Sequence, residues 1–237
     1  MENFVELIEN IDSFDIYCIR NDICITPHIK LTKTIWEDWM EQYIKEIYEE
    51  NSNIIDVGAH IGTFSLMASK YISPNSKIYC FEPVYTKILE MNIEKNNLLE
   101  KVIFSSNGLS NKQKTIPGFY IDFNKSQNYG FTFVDEIFCE NNIYKSKNII
   151  KLDTLDNLNI ENISILKIDV EGNELNVLEG AFNTILKNKP SILIEIWSTS
   201  PNEKLKTKNE KQTDLNLMFF LFISIGIHLF SNFSRNR

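Results

Sequence analysis

The sequence predicts a three-layer α/β protein, a mostly parallel sheet with helices on both faces. Three observations predict it. From Asn53 onward, short apolar runs alternate with stretches of helical spacing. Gly or Pro stands at several of the turns between them. A chain of 237 residues is long enough for one such domain with a sizeable core.

Ahead of that alternation, residues 1–50 predict a cap packed on the main domain of residues 51–237. Ile16, Cys18, Ile23 and Ile25 form alternating apolar patches, the pattern of a small hairpin. Residues 34–50 place Ile35, Trp39, Tyr43 and Ile47 at helical spacing. Trp36 and Trp39 read first as core residues of that helix, with substrate stacking as the lesser alternative.

The main domain then reads in order. NIIDVG is a short strand and Ile61–Tyr71 a helix. KIYCFEP is the second strand and Val84–Asn96 the second helix. KVIFSSN is the third strand, and ISILKIDVEG is the fourth, followed by a helix over Glu174–Leu186. SILIEIW is the fifth. Strand–helix–strand units of this length close as right-handed crossovers, which makes the sheet parallel. Residues 108–152 interrupt the rhythm and predict an inserted hairpin over the carboxyl edge. Residues 199–214 are polar and read as a loop. The apolar run Leu215–Phe230 is short for a membrane span, and Gly226 and His228 interrupt it. It predicts a buried helix, a turn at Gly226 and a buried strand.

Composition narrows the function. The formal net charge of −8 disfavours nucleic acid as a partner, because an acidic surface repels polyphosphate. Cys18, Cys24, Cys80 and Cys139 include no C-x-x-C pair, so no zinc knot is written here. They read as reduced thiols, although Cys18 and Cys24 could pair in an oxidising compartment. The acidic N-terminus lacks a secretory pattern, and the expected location is the cytoplasm.

The chemistry concentrates at two strand ends. The first strand ends in Asp56-Val57-Gly58-Ala59-His60-Ile61-Gly62. Glycines at a strand-to-helix turn admit a ligand close to the backbone, and the helix start offers free N–H groups. Glu82 follows twenty residues after Gly62, at the end of the second strand, with Pro83 fixing the turn. An acid so placed can accept the hydroxyls of a ribose. Its replacement is expected to cost cofactor affinity with little effect on the fold. Together these features point to an adenosine cofactor. The glycine spacing departs from G-x-G-x-x-G, and Asp56 would repel a pyrophosphate, which tilts the choice from NAD toward S-adenosylmethionine.

The runs NIIDVGAHIGTFSLMAS, IYCFEPV, LDTLDNL, ISILKIDVEGNELNVLEGA and PSILIEIW resemble the FkbM family of methyltransferases over residues 50–197. The resemblance implies a class I methyltransferase fold of the Rossmann-like kind and S-adenosylmethionine as methyl donor. It also implies O-methylation of a hydroxyl on a sugar, glycan or polyketide-like acceptor. It assigns Asp56, Gly58, His60, Gly62 and Phe64 to the cofactor turn, Glu82 with Pro83 to the ribose side, and Asn107 to the border of the adenine. Asn128 and Gly130 would wall the acceptor site, and Trp197 is grouped with them. Two departures stand out. His60 replaces the family's usual Asn, and the chain supplies one clear strand after the fifth where the fold usually has two, the last antiparallel. That second departure leaves open a binding protein of the same fold without catalysis. An NAD-dependent sugar-modifying enzyme is a further alternative.

Methyl transfer to a hydroxyl also needs a proton acceptor. Asp169 and Glu171 follow the fourth strand, and Glu195 stands near the end of the fifth; Asp169 ranks first as base or acceptor orienter. The three acids would also suit a divalent cation, but no histidine accompanies them, and the expected site holds no metal.

Overall fold

A computed structural model of the protein describes residues 3–119, 121–130, 132, 145–197 and 229–234. The cap opens with the antiparallel hairpin β1 (Val5–Ile11) and β2 (Phe14–Ile19), turned through Asp12 and Ser13 at positive φ. Two short helices follow, α1 (Ile25–Thr32) and α2 (Met40–Ile47). The sequence reading expected one helix over 34–50 and none before it. The earlier helix starts because the Asp22 carboxylate accepts the Cys24 and Thr26 N–H groups, at 3.2 and 2.7 Å. Pro27 in the first turn lacks only an N–H that has no helical partner there. Lys33, at φ 60°, ends the helix.

The main domain alternates β3 (Asn53–Val57), α3 (Thr63–Ala68), β4 (Ile78–Phe81), α4 (Thr86–Lys95) and β5 (Val102–Ser105). The insertion contributes β6 (Gly108–Leu109), β7 (Lys114–Phe119) and β8 (Lys145–Asp153) as a separate sheet in the order β6-β8-β7, with β7 and β8 antiparallel. The rhythm resumes with β9 (Ile163–Ile168), α5 (Glu174–Gly180), α6 (Phe182–Asn188), β10 (Ser191–Trp197) and β11 (Leu229–Ser234). The helix expected over Glu174–Leu186 is broken at Ala181. It breaks where Gly180 lies so close to the insertion that a Cβ there would be 2.0 Å from the Ser110 carbonyl oxygen.

The central sheet runs β11-β10-β9-β3-β4-β5, and every pair is parallel. The protein has the class I Rossmann-like fold, with β3 and β9 flanking the point where strand order reverses. The strand expected near the C-terminus is β11, parallel to β10; among the described residues no antiparallel strand follows it. The helix expected before Gly226 and the loop of 199–214 lie outside the described residues.

The period-two pattern of the strands separates two cores. Ile54, Ile78, Cys80, Ile165 and Leu193 pack with the cap, α3 and α4. Ile55, Val57, Phe81, Leu166, Ile168, Ile192 and Ile194 pack with α5 and α6 on the opposite face. Among the described residues, no helix is long and apolar enough to cross a membrane. Cys18 and Cys80 are free thiols, and Cys139 lies outside the described residues.

Candidate active site

The carboxyl ends of β3 and β9 meet at the reversal of strand order, the usual ligand crevice of an open α/β sheet. Val57 accepts the Asp169 N–H at 3.0 Å, and Gly58 follows at φ 76°. A Cβ at Gly58 would stand 1.8 Å from the Asp169 carbonyl oxygen, so the two strand ends approach as closely as glycine permits. Gly62, at φ 94°, begins α3.

Asp56 is fully buried on the face that packs against α3. Its direct cross-strand neighbour in β9 is Lys167, which the sequence reading missed. The Lys167 ammonium lies 3.3 Å from Asp56 Oδ1 and 3.3 Å from Asp169 Oδ2, and it donates to the Gly58 carbonyl at 2.9 Å. Burial opposes its charge, yet Asp169, Asp56 and Glu37 hold its pKa above the usual lysine value. Ser65 donates to Asp56 Oδ2 at 2.6 Å. Among the described residues no hydrogen bond reaches Asp56 Oδ1, and the Lys167 ammonium stands beside it. The signal for Lys167 was present: a single lysine inside ISILKID must lie on one of two buried faces and therefore needs a buried acid.

Glu82 differs from its sequence reading. It is 5% exposed, and three backbone amides already bind it. Oε2 accepts from His60 at 2.8 Å, and Oε1 accepts from Val84 and Tyr85 at 2.7 and 2.9 Å. A carboxylate accepts about four hydrogen bonds, so roughly one direction is left for a ligand hydroxyl. Glu82 therefore ties the β3–α3 turn to the β4–α4 turn, and the expectation that its loss would spare the fold is corrected. Burial raises its pKa, while those backbone bonds counter the rise.

His60 has φ 51°, and its ring meets Tyr85 edge-on at 4.6 Å. Its Nε2 is buried without a hydrogen-bond partner. Burial pulls its pKa down to about 4 against the opposing pull of Asp22 and Asp169, so the imidazole is neutral near pH 7. Phe64 stands in the first turn of α3 with its side chain in the core. Pro83 packs near Gly108, and Asn107 lies just beyond β5, its N–H bound to Ser105 Oγ at 3.1 Å.

Asp169, Glu171 and Glu195 lie near enough for their charges to act on one another. Burial, then the charge of nearby Asp169, raises the pKa of Glu195. Burial, then Asp169, Glu195 and Glu174, push Glu171 up to about 9. Glu174 closes the loop, accepting the Gly172 N–H at 2.7 Å, and burial pushes it up to about 7. Glu37 of the cap also acts on this cluster, raising the pKa of both Lys167 and Glu195. Among the described residues, no three His, Cys, Asp or Glu side chains are grouped to hold a metal ion. Asn128 accepts the Gly130 N–H at 3.0 Å within its own turn and is exposed. The Trp197 side chain lies outside the described residues.

A family model described as methyltransferase FkbM domain matches residues 56–221. Methyltransferase sdnD of Sordaria araneosa is 30% identical over 178 residues, which are 63% of this chain and 68% of that protein. Among solved structures, a methyltransferase FkbM from Methylobacillus flagellatus KT is similar at 16% identity and a TM-score of 0.45. The overlap covers 78% of this chain and 44% of that one. The M. jannaschii tRNA m1G37 methyltransferase is similar at 17% identity and a TM-score of 0.32, covering 46% of this chain and 32% of that one. The chain thus spans less than half the length of either solved structure.

Proposed function

Because the chain belongs to the FkbM methyltransferase family, we propose that it transfers the methyl group of S-adenosylmethionine to a hydroxyl of a sugar, glycan or polyketide-like acceptor. The observation that carries this reading is the charge of the carboxyl edge. Asp56 and Asp169 outnumber the one buried lysine between them there, and Glu82, Glu171 and Glu195 add carboxyls that burial holds toward the neutral form and that a bound cation would draw toward ionisation. Such an edge favours a cationic cofactor without phosphates and opposes the pyrophosphate of NAD. The residues present suit the cofactor: Gly58 and Gly62 clear its approach, Glu82 keeps a lone pair for a ribose hydroxyl, and His60 Nε2 is a buried polar atom without a partner.

The bound cofactor supplies an electrophilic methyl on a sulfonium leaving group. The chain must orient the acceptor and receive its proton. Asp169 is the residue we assign to that role, its carboxylate steered by Lys167 at 3.3 Å and close enough to Glu195 for the two to act on one another. Glu195, held protonated by burial, can donate to Asp169 and fix which of its oxygens faces the acceptor. Glu171 orients the acceptor, and the Asn128–Gly130 turn walls it. The net charge of −8 argues for an acceptor without a phosphate backbone.

Calorimetry and turnover of methyl-labelled cofactor test the reading. S-adenosylmethionine should bind and NAD should not, and label should pass to a member of a panel of sugars and polyketide hydroxyls. Absence of S-adenosylmethionine binding at about 1 mM ligand would overturn the cofactor assignment. Binding without transfer to any acceptor would favour the non-catalytic alternative.

A further inference from the structure

The cap lies ahead of the family's matched domain, residues 56–221, yet one of its acids reaches into that domain. Asp22 is 6% exposed. Besides starting α1 through Oδ2, it accepts the Tyr129 N–H at Oδ1 over 3.1 Å. The backbone around it pairs with the same turn. Ile23 donates to the Gln127 carbonyl at 3.1 Å, and Gln127 donates back to Asn21 at 3.3 Å. The Asn21 side chain donates to the Phe123 carbonyl at 2.8 Å. Asn128, Tyr129 and Gly130 are thereby attached to the cap, and Ile25 packs so near Gly130 that a Cβ there would lie 3.2 Å from its Cδ1.

From Tyr129 the connection continues toward the cofactor turn. The Tyr129 carbonyl accepts from Thr132 Oγ1 at 2.8 Å, and Thr132 Oγ1 bonds the Tyr85 hydroxyl at 2.6 Å. Tyr85 carries the ring against His60, and its N–H is bound by Glu82. An unbroken set of contacts therefore runs from Asp22 through the insertion to the turn beside the proposed cofactor site.

We propose that Asp22 is a positioning residue for methyl transfer, holding the Asn128–Gly130 turn against the acceptor from outside the family domain. This rests on the functional reading above. A carboxylate is needed because three N–H groups converge on it, two from its own segment and one from Tyr129, 107 residues away in the chain. An amide in its place would turn an NH2 toward at least one of them.

Asp22→Asn is the test, in the full-length chain. Amide hydrogen exchange over residues 127–130 should quicken by about tenfold or more, while β3 and β9 keep wild-type protection. S-adenosylhomocysteine affinity, by calorimetry, should stay within about threefold of wild type. With whichever hydroxyl acceptor the wild type methylates, KM should rise about tenfold or more, by misplacement of the acceptor wall. Unchanged exchange at 127–130 overturns the proposal. So does faster exchange with wild-type KM and kcat, because the clasp would then serve stability alone. Should the wild type bind S-adenosylhomocysteine but methylate nothing, the functional reading is what fails, and wild-type exchange at 127–130 in the variant would still refute the clasp.

Discussion

Asp169 and Glu82 separate two kinds of site residue, one open to the crevice and one committed to the backbone. The Asp169 side chain is 25% exposed and sits beside the Lys167 ammonium. Asp169→Asn keeps its shape but removes the charge that would receive a proton. Turnover should fall by about 10²–10⁴-fold with cofactor affinity nearly unchanged, as general-base catalysis implies. A helix-capping role would instead lower stability and spare turnover. The cap position of α5 is Asn173, four residues on, and no hydrogen bond joins the Asp169 side chain to that helix start. Single-turnover kinetics with thermal unfolding distinguish the two. Glu82→Ala leaves the amides of His60, Val84 and Tyr85 without their acceptor. Each orphaned buried donor costs about 1–3 kcal/mol, so stability should drop by about 3 kcal/mol or more, together with weaker cofactor binding. Denaturant unfolding measures the first, calorimetry the second; a fully stable variant would mean the two turns are held by other contacts.

At the scale of elements, the β3–α3 turn is a tight junction. Gly58 needs a left-handed φ and has the Asp169 carbonyl where a Cβ would go. Gly58→Ala should therefore cost about 3 kcal/mol or more, since backbone rather than a flexible side chain must yield. Urea unfolding midpoints with unchanged slope would read that loss directly. The cap docks on α4 by a different device. Asn92 accepts the Tyr17 N–H at 2.6 Å and donates to the Tyr17 and Ile61 carbonyls, at 3.0 and 2.8 Å. Asn96 repeats the exchange with Asp15 one turn later. Side-chain amides on a helix thus pair with the edge of β2, and one of them also holds the turn that carries His60.

For the molecule as a whole, the buried titrating groups predict how stability changes with pH. Glu171 and Glu174 are raised from 4.5 to about 9 and about 7, so between pH 4.5 and 9 the folded chain binds more protons than the unfolded one. Their contribution is present below pH 4.5 and is lost as pH rises through those values. His60 is lowered from 6.5 to about 4, so its contribution is present above pH 6.5 and is lost as pH falls through 4. The ligand-free protein should be most stable at acidic pH, about 4–5, and lose stability toward pH 9. Glu171→Gln should flatten that alkaline decline in thermal melts; an alkaline limb identical to wild type would show that Glu171 is not its source. The same scale divides what was legible in the sequence from what was not. The alternation of strands and helices, the glycine turn after β3, the spacing to Glu82 and the acids after β9 and in β10 could all be read directly. Each depends on residues close in the chain or on a short period, and local sterics and burial enforce those. Phe64 and Glu82 were placed in the right turns, but their burial was not visible. The Lys167–Asp56 pairing, the three amides on Glu82 and the Asp22 clasp came only with the tertiary structure. Lys167 and Gly58 are 109 residues apart, and Asp22 and Tyr129 are 107 apart. Strand register and the path of an insertion bring them together, and a lone charge in a buried run states only that it needs a partner, without saying which.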